Sequence, residues 1–280
     1  MLSWKVGAVT VSAVVESLRI VPDAVQPVFI PAATPDALRR IAWLAPHFID
    51  ADGRLRIAIQ ALLVEAPGLR LIVDTCIGED GTAPETAPFL AALAEAGWPR
   101  DSVTHVLCTH LHFDHVGWNT CLEDGRWVPT FPRARYLFAR IEHEHWSGRD
   151  DHDAPAILAR SVQPVLDAGL ADLVETDHRL SAEVRLVPTH GHTPGHVSVR
   201  IESEGHSAMI TGDMTHHPCQ MARPDWATGF DSDCAQGVRT REAVFAGLAG
   251  SPTLLIGTHF AAPTAGLVVR DGEGFRLVTG

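Results

Sequence analysis

Apolar residues occur along this chain in short runs whose spacing alternates between that of strands and that of helices. Val9, Val11 and Ala13 alternate with polar neighbours, which predicts a first β-strand. Further apolar runs bounded by turn residues predict strands at 55–65, 69–75, 103–108, 184–187, 207–211 and 253–256. Helical spacing closed by glycine or begun by a cap predicts helices near 34–44, 89–97, 154–168 and 238–249. This alternation is typical of an α/β fold.

Three of the predicted strands end just before a cluster of histidine or aspartate. The runs 103–108, 207–211 and 253–256 are apolar enough to be buried strands. In α/β folds, groups just beyond the carboxyl ends of strands line a common crevice. We therefore expect these distant clusters to meet at one site.

The first cluster, residues 109–115, has the spacing of metal ligands. Alternation lets His110 and His112 point the same way, towards one cation. Asp114 and His115 follow after the chain turns and can reach a second cation beside the first. The segment thus predicts a dinuclear metal centre.

The downstream clusters supply the remaining predicted ligands. His192 lies in a turn rich in glycine and proline and provides a third imidazole. Asp213 is predicted to bridge the two cations, and His259 to complete the second site. His190 and His196 flank the third imidazole, and we expect them to hydrogen-bond the backbone or the ligands rather than the metal.

Other residues near these clusters receive individual predictions. Asp114 is expected to shuttle a proton as well as bind metal, and His216 to donate to the substrate carbonyl or leaving group. Trp118 is the predicted wall of an apolar substrate pocket. Phe113 is expected to point into the core, and Cys108 to be a buried small hydrophobe.

The segment around His143 and His145 also contains Glu142 and Glu144. It lacks the HExxH spacing of a zinc-binding helix. We interpret it as a surface helix whose charged and polar side chains are solvated.

Composition limits the partners of the chain. Acidic residues outnumber basic ones 34 to 22, for a net charge of −12, which disfavours nucleic acid. The five cysteines are widely spaced without a CxxC pair, so a reduced cytoplasmic setting is expected. Prolines and glycines interrupt the uncharged run 243–269, so no membrane span is predicted. Four prolines predict an irregular N-terminal arm at about 20–35.

Taken in order, Asp74, HLHFDH at 110–115, His192, Asp213 and His259 resemble the motifs of the metallo-β-lactamase superfamily. The resemblance spans most of the chain. It implies one domain over residues 1–280, folded as a four-layer αββα sandwich with the metals at the edge of two facing sheets. It also implies that Asp74 orients the site.

Two longer segments, CTHLHFDHVGWN at 108–119 and GDMTHHPCQ at 212–220, resemble the branch of lactonases and organophosphate hydrolases. The chain departs from the relatives at two positions. Asp213 stands where the best-known β-lactamases have cysteine, and His216 stands where lactonases commonly have tyrosine.

The predicted function is a dinuclear metal-dependent hydrolase that opens lactones or related esters of small-molecule substrates with a metal-bridging hydroxide. Zinc is the default metal, and the nitrogen and oxygen ligands also suit manganese, iron or cobalt. The alternatives are an organophosphate triesterase, a thiol or persulfide dioxygenase with a single iron, and a metal-binding module without catalysis. A homodimer is the default assembly.

Overall fold

The computed structural model describes residues 1–78, 87–149 and 154–279. Within these ranges the chain forms fifteen strands, nine α-helices and four 3₁₀ turns. The strands are β1 (Leu2–Val6), β2 (Val9–Ile20), β3 (Arg56–Ala66), β4 (Leu69–Val73), β5 (His105–Leu107), β6 (Thr120–Glu123), β7 (Arg126–Pro129), β8 (Arg135–Ala139), β9 (Ala171–Val174), β10 (Val184–Pro188), β11 (Val197–Ser203), β12 (His206–Ile210), β13 (Leu254–Ile256), β14 (Ala265–Asp271) and β15 (Gly274–Val278).

The helices and turns lie in the segments that connect these strands. The α-helices are α1 (Gln26–Phe29), α2 (Pro35–Arg39), α3 (Pro88–Glu95), α4 (Phe113–Val116), α5 (Arg140–Ser147), α6 (Ala154–Ser161), α7 (Gln163–Asp167), α8 (Cys219–Ala222) and α9 (Cys234–Leu248). The 3₁₀ turns are Ala42–Leu44, Arg100–Ser102, Gly117–Asn119 and Gly212–Met214. None of the helices in the described ranges is long and apolar enough to cross a membrane.

Two large sheets and a two-stranded ribbon organise the strands. The first sheet has the order β1-β2-β3-β4-β5-β8-β9, and the second has the order β10-β11-β12-β13-β14-β15. Antiparallel pairs dominate, but β4, β5, β8 and β9 are parallel, as are β12 and β13. The remaining pair, β6 and β7, forms the ribbon.

The parallel strand pairs determine which chain segments lie next to each other where the chain leaves each sheet. Val73 pairs with Leu107, so the segments after β4 and β5 leave the first sheet side by side. Ile210 pairs with Ile256, so the segments after β12 and β13 leave the second sheet together. The histidine and aspartate clusters follow these strand ends directly, as the sequence predicts.

Three apolar layers hold the architecture together. Side chains such as Leu62 from the first sheet and Val199 from the second form the layer between the sheets. Phe89 of α3 belongs to a second layer on the outer face of the first sheet. Phe245 of α9 belongs to a third layer, on the outer face of the second sheet. Helix, sheet, sheet and helix are therefore stacked in four layers, which confirms the predicted αββα sandwich.

Two predicted helices are interrupted. The helix predicted near 34–44 begins with Thr34 as its cap, whose side chain accepts from the amide of Ala37, but α2 ends at Arg39 and a 3₁₀ turn follows. The helix predicted at 154–168 is divided between α6 and α7. Pro164 lies in the first turn of α7, where an N–H group would have no partner within the helix. In the interior of one long helix the same proline would remove a hydrogen bond and break the helix.

The prediction of one domain over residues 1–280 stays a prediction.

Candidate metal centre

The motif at 109–115 changes conformation half-way. It leaves β5 in an extended form, and helix α4 begins at Phe113, directly after His112. The strand alternation therefore ends there, and His115 turns into the protein, where it is fully buried. Leu111 is buried as predicted, but the prediction that Phe113 points into the core is wrong, because the new helix turns it outward and leaves it 55% exposed.

Three imidazoles form what we call the first ligand set: His110, His112 and His192. The Nδ1 atom of His112 lies 2.9 Å from Nε2 of His110 and 2.9 Å from Nε2 of His192. Candidate ligand atoms of all three lie within 4.8 Å of one another, a spacing that one metal ion can span. The structure therefore brings together side chains that are 80 positions apart in the sequence.

Asp114, His115 and His259 form the second ligand set. The two imidazole Nε2 atoms are 3.2 Å apart. Asp114 places one carboxylate oxygen 3.7 Å from Nε2 of His115 and the other 3.6 Å from Nε2 of His259. This set combines two nitrogen donors with a carboxylate.

Asp213 lies between the two sets. Its Oδ2 atom is 3.8 Å from Nε2 of His110, 3.6 Å from Nε2 of His192 and 3.3 Å from Nε2 of His115. Its Oδ1 atom is 3.2 Å from Nε2 of His259. A carboxylate in this position touches donors of both sets, as a bridging ligand requires.

The tautomers of the second set can be deduced from its outer contacts. Nδ1 of His259 lies 2.9 Å from the carbonyl oxygen of Ala58, and Nδ1 of His115 lies 2.9 Å from a carboxylate oxygen of Asp74. The carbonyl oxygen only accepts, so Nδ1 of His259 donates to it, and the Nε2 atom of a neutral His259 ring presents a lone pair; the Asp74 carboxylate favours a hydrogen on the neighbouring Nδ1 of His115. The two Nε2 atoms, 3.2 Å apart, are compatible with each other only when they share a proton or a cation that both can bind. The donor set therefore fits a divalent metal ion.

The electrostatics agree with this fit. Burial, together with the neighbouring imidazoles, lowers the pKa of His110, His112 and His192 well below the ordinary range, so these rings are neutral donors. Burial alone would raise the pKa of Asp213, but the imidazoles of His259, His115 and His216 hold it well below its usual value. Asp213 is therefore ionised, as a carboxylate that binds a metal ion must be.

Comparison with known proteins identifies the family. A family model described as the metallo-beta-lactamase superfamily matches residues 56–247. The chain belongs to the metallo-beta-lactamase superfamily. The matched residues include all seven predicted ligands except His259, which lies in the same fold just beyond them.

Relatives of this superfamily member include several lactonases. An N-acyl homoserine lactonase, AiiA, from Bacillus thuringiensis subsp. kurstaki is 28% identical over 144 residues, which are 51% of each chain. A hydroxyacylglutathione hydrolase from Rhodopseudomonas palustris (strain HaA2) is 34% identical over 116 residues, 41% of this chain and 35% of the relative. The chain thus spans about half the length of the lactonase that it matches.

Solved structures share the fold over nearly the whole chain. The dizinc quorum-quenching lactonase AidC, in complex with its product, superposes with a TM-score of 0.81 and is 22% identical, covering 99% of this chain and 96% of AidC. The hydrolase AbOPH also gives a TM-score of 0.81 at 22% identity, covering 100% of this chain and 97% of AbOPH. These matches confirm the metallo-β-lactamase fold.

Two of the three predicted supporting residues lie against the ligands of this metallo-β-lactamase fold. Asp74 contacts His115 and accepts from the amide and the hydroxyl of Thr109, at 2.7 and 2.9 Å. His196 accepts the amide of Asp213 at 2.7 Å through Nε2. His190 is different, because its buried Nδ1 atom has no hydrogen-bond partner among the described residues.

Trp118 does not line a substrate pocket, contrary to the sequence prediction. Its side chain is only 1% exposed and stacks on Phe89 in the core. Its indole N–H donates to Glu16 at 2.8 Å. Glu16 lies where the register between β2 and β3 shifts, between Val15 and Ser17, and a β-bulge at such a shift changes the direction of a side chain.

Two buried carboxylates near the ligands were missed by the sequence analysis. Asp231 lies 3.1 Å from Nδ1 of His192 and 3.4 Å from the buried guanidinium of Arg241. Glu142 was expected to be solvated, but it is only 1% exposed. Helix α5 buries the face that carries Glu142, whereas Glu144 on the same helix is exposed. Glu142 lies three residues after the end of β8. Its position just beyond a parallel strand is the feature of the sequence that could have indicated a place near the site.

Proposed function

We propose that this chain is a dinuclear metal-dependent hydrolase that opens lactones or cleaves related esters. The observation that carries the proposal is the meeting of two complete ligand sets at the single carboxylate of Asp213. Two divalent ions held by these residues would supply an acidified water nucleophile and would polarise a substrate carbonyl. Zinc is favoured, because the neighbour AidC is a dizinc lactonase of the same fold.

The exposure of the ligands indicates where a substrate enters. His112 and Asp114 are partly exposed, whereas the other five ligands are buried. The partly exposed pair comprises one member of each ligand set and flanks Phe113. We infer that the substrate approaches across these two side chains.

Exposed apolar side chains near this entrance support an apolar acyl or alkyl substituent. Phe113 is 55% exposed, and Phe230 is 46% exposed. Phe230 packs on Phe29 with ring centroids 6.0 Å apart, and Phe29 packs edge-on against His216 at 5.4 Å. A row of packed rings therefore extends from the surface at Phe230 to His216 beside the ligands, and we propose that its exposed end contacts the hydrophobic chain of the substrate.

Two side chains are proposed to handle protons. Asp114 is 18% exposed, so it can exchange protons with solvent while its two oxygens lie 3.7 and 3.6 Å from the imidazoles of His115 and His259. His216 is buried, with Nε2 3.1 Å from Asp213 and Nδ1 without a hydrogen-bond partner among the described residues. We propose that His216 donates to the substrate carbonyl or to the leaving alkoxide.

The rival activities predict different metal contents and substrates. A single-iron dioxygenase needs one ligand set, and a complete second set favours two ions instead. A phosphotriesterase uses the same two-metal chemistry, so substrate preference must separate it from a lactonase. The net charge of −12 favours a small-molecule substrate over nucleic acid.

The decisive experiment measures bound metal and initial rates of the purified protein on N-acyl homoserine lactones and on aryl phosphotriesters. We expect two ions per chain and faster lactone opening, with the rate lost in H112A. Preference for the phosphotriester would reassign the substrate. One iron per chain with oxygen uptake would contradict a hydrolase, and bound metal without turnover on either substrate would contradict the proposed lactone opening.

A further inference from the structure

Glu142 joins two chain segments that carry the first ligand set. Its Oε1 atom accepts the backbone amide of Leu111 at 3.2 Å, and Leu111 lies between His110 and His112. Its Oε2 atom accepts the backbone amide of Gly195 at 2.9 Å, in the turn that follows His192. One buried carboxylate thus bonds the segments that provide all three imidazoles.

Gly195 and Trp146 pack closely around Glu142. A Cβ atom on Gly195 would lie 2.4 Å from the backbone nitrogen of Glu142, so only glycine allows the turn to approach helix α5 this closely. Trp146, one helical turn further on, donates its indole N–H to Oε1 of Glu142 at 2.7 Å. The same indole packs edge-on against the ring of His112 at 5.2 Å. Helix α5 therefore fixes both the backbone and one ring of the first ligand set.

The second ligand set is held by other groups. Asp74 contacts His115, and the carbonyl oxygen of Ala58 accepts from His259. None of the hydrogen bonds described for Glu142 reaches these residues. A change at Glu142 should therefore act on one metal position and spare the other.

We propose that Glu142 is a positioning residue that sets the metal affinity of the first ligand set selectively, by clamping the segments that carry His110, His112 and His192 together. The proposal rests on the proposed two-metal function. Groups that orient metal ligands from behind typically contribute about 10- to 100-fold to metal affinity. Glu142 is expected to act in this range through the backbone, without touching the metal or the substrate.

The test compares zinc affinities of E142Q and wild type by competition with a chromophoric chelator. Glutamine keeps the size of glutamate but has one accepting oxygen, and its NH₂ group opposes one of the amide donors. We expect one of two zinc ions to bind about 10- to 100-fold more weakly, and the other to keep its affinity. E144Q, on the exposed face of the same helix, is the matched control and should bind both ions like wild type.

Variants that each retain only one intact ligand set show which ion is affected by E142Q. H259A chains retain the first ligand set, and H112A chains retain the second. E142Q should weaken zinc binding in H259A chains and leave it unchanged in H112A chains. Equal losses in both backgrounds, or no loss in either, would overturn the proposal.

A readout of folding separates positioning from a general structural role. The melting temperature of metal-free E142Q and of E142D is measured alongside the affinity, and E142D should recover part of the lost affinity because it retains two accepting oxygens. A lower melting temperature with both zinc affinities intact would make Glu142 structural and overturn the proposal. Wild-type protein that binds no second ion would instead contradict the proposed two-metal function, so the two failures are distinguishable.

Discussion

The two ligand sets of this site are built from similar side chains but are held in place differently. The histidines of the second set are anchored to the first sheet, through Asp74 at the end of β4 and the backbone of Ala58 in β3. In the first set, His192 contacts Asp231, which lies in the irregular segment before α9. The first sheet thus holds the second ligand set, whereas helix α5 and the segment before α9 hold the first.

The two sets also differ in charge. The second set contains Asp114 and is backed by Asp74, whereas the first set contains three neutral imidazoles. Burial lowers the pKa of His115, but Asp213, Asp74 and Asp114 outweigh it and raise that pKa well above its ordinary value. The same carboxylates that attract a proton there attract a metal cation. The second set therefore includes a carboxylate of its own, whereas the first set has only Asp213, shared with the second, and the carboxylate of Asp231 behind His192.

The largest expected effect comes from removing one ligand of either set. H112A and H259A should each lower kcat/KM for the lactone by more than about 100-fold, because even groups behind the ligands contribute up to about that factor. Metal analysis should find one ion lost in each variant. A variant that loses one ion but keeps full turnover would show that the corresponding set is not needed for hydrolysis.

His216 belongs to neither set as defined above, but it forms a further group with His192 and Asp213 that could hold a metal ion. Its ring lies 4.8 Å from that of His192 and stacks over that of His259 at 6.0 Å. H216A should lower kcat by about 100-fold, the lower end of what a positioned proton donor contributes, with both ions retained. H216Q, which keeps an N–H donor, should recover part of the rate. If H216A loses an ion, His216 is a metal ligand and the proton role is wrong.

The outer carboxylates should separate the two positions without removing a ligand. D74N is expected to weaken the ion of the second set by about 10- to 100-fold, and D231N the ion of the first set by a similar factor. Calorimetric zinc titrations of both variants, each compared with wild type, measure this. If both variants weaken the binding of the same ion, the claim that Asp74 and Asp231 support different ligand sets is wrong.

The smallest effect is expected behind the second set, at Trp118. Its backbone amide bonds the carbonyl of Thr75, whose own amide bonds the carbonyl of His115. W118F removes the donor to Glu16 and should lower the free energy of unfolding by about 1–2 kcal/mol. Because the side chain is buried, KM for the lactone should not change. Urea unfolding and steady-state kinetics test both statements, and a raised KM would restore Trp118 to the substrate pocket.

The sequence predicts those parts of the fold and site that depend on local pattern. The ligands are predictable because each cluster follows a buried apolar strand and has a fixed spacing, as in the segment from His110 to His115. The αββα arrangement came from resemblance, because apolar periodicity does not reveal which sheets face each other. Interruptions such as the one at Pro164 could have been predicted from its missing N–H group.

The missed residues depend on contacts between distant segments. Asp231 is 39 positions from His192, and nothing in its local sequence indicates that contact. Glu142 lies among charged neighbours that are typical of a solvated helix, and its burial depends on the turn at Gly195, 53 positions later. Trp118 was misplaced for the converse reason, since its partner Glu16 is 102 positions earlier, on a bulged strand.

The ligands come from both sheets, and this has a consequence for the lifetime of the protein. His115 follows a strand of the first sheet, and His259, 144 positions later, follows a strand of the second. All five cysteines are free, so the described fold has no disulfide to cross-link it. Ions bound between these residues close a long loop of the chain and stabilise the native state by mass action. The steady-state abundance of this protein in a cell should therefore follow the supply of its metal, with faster proteolytic turnover under metal starvation.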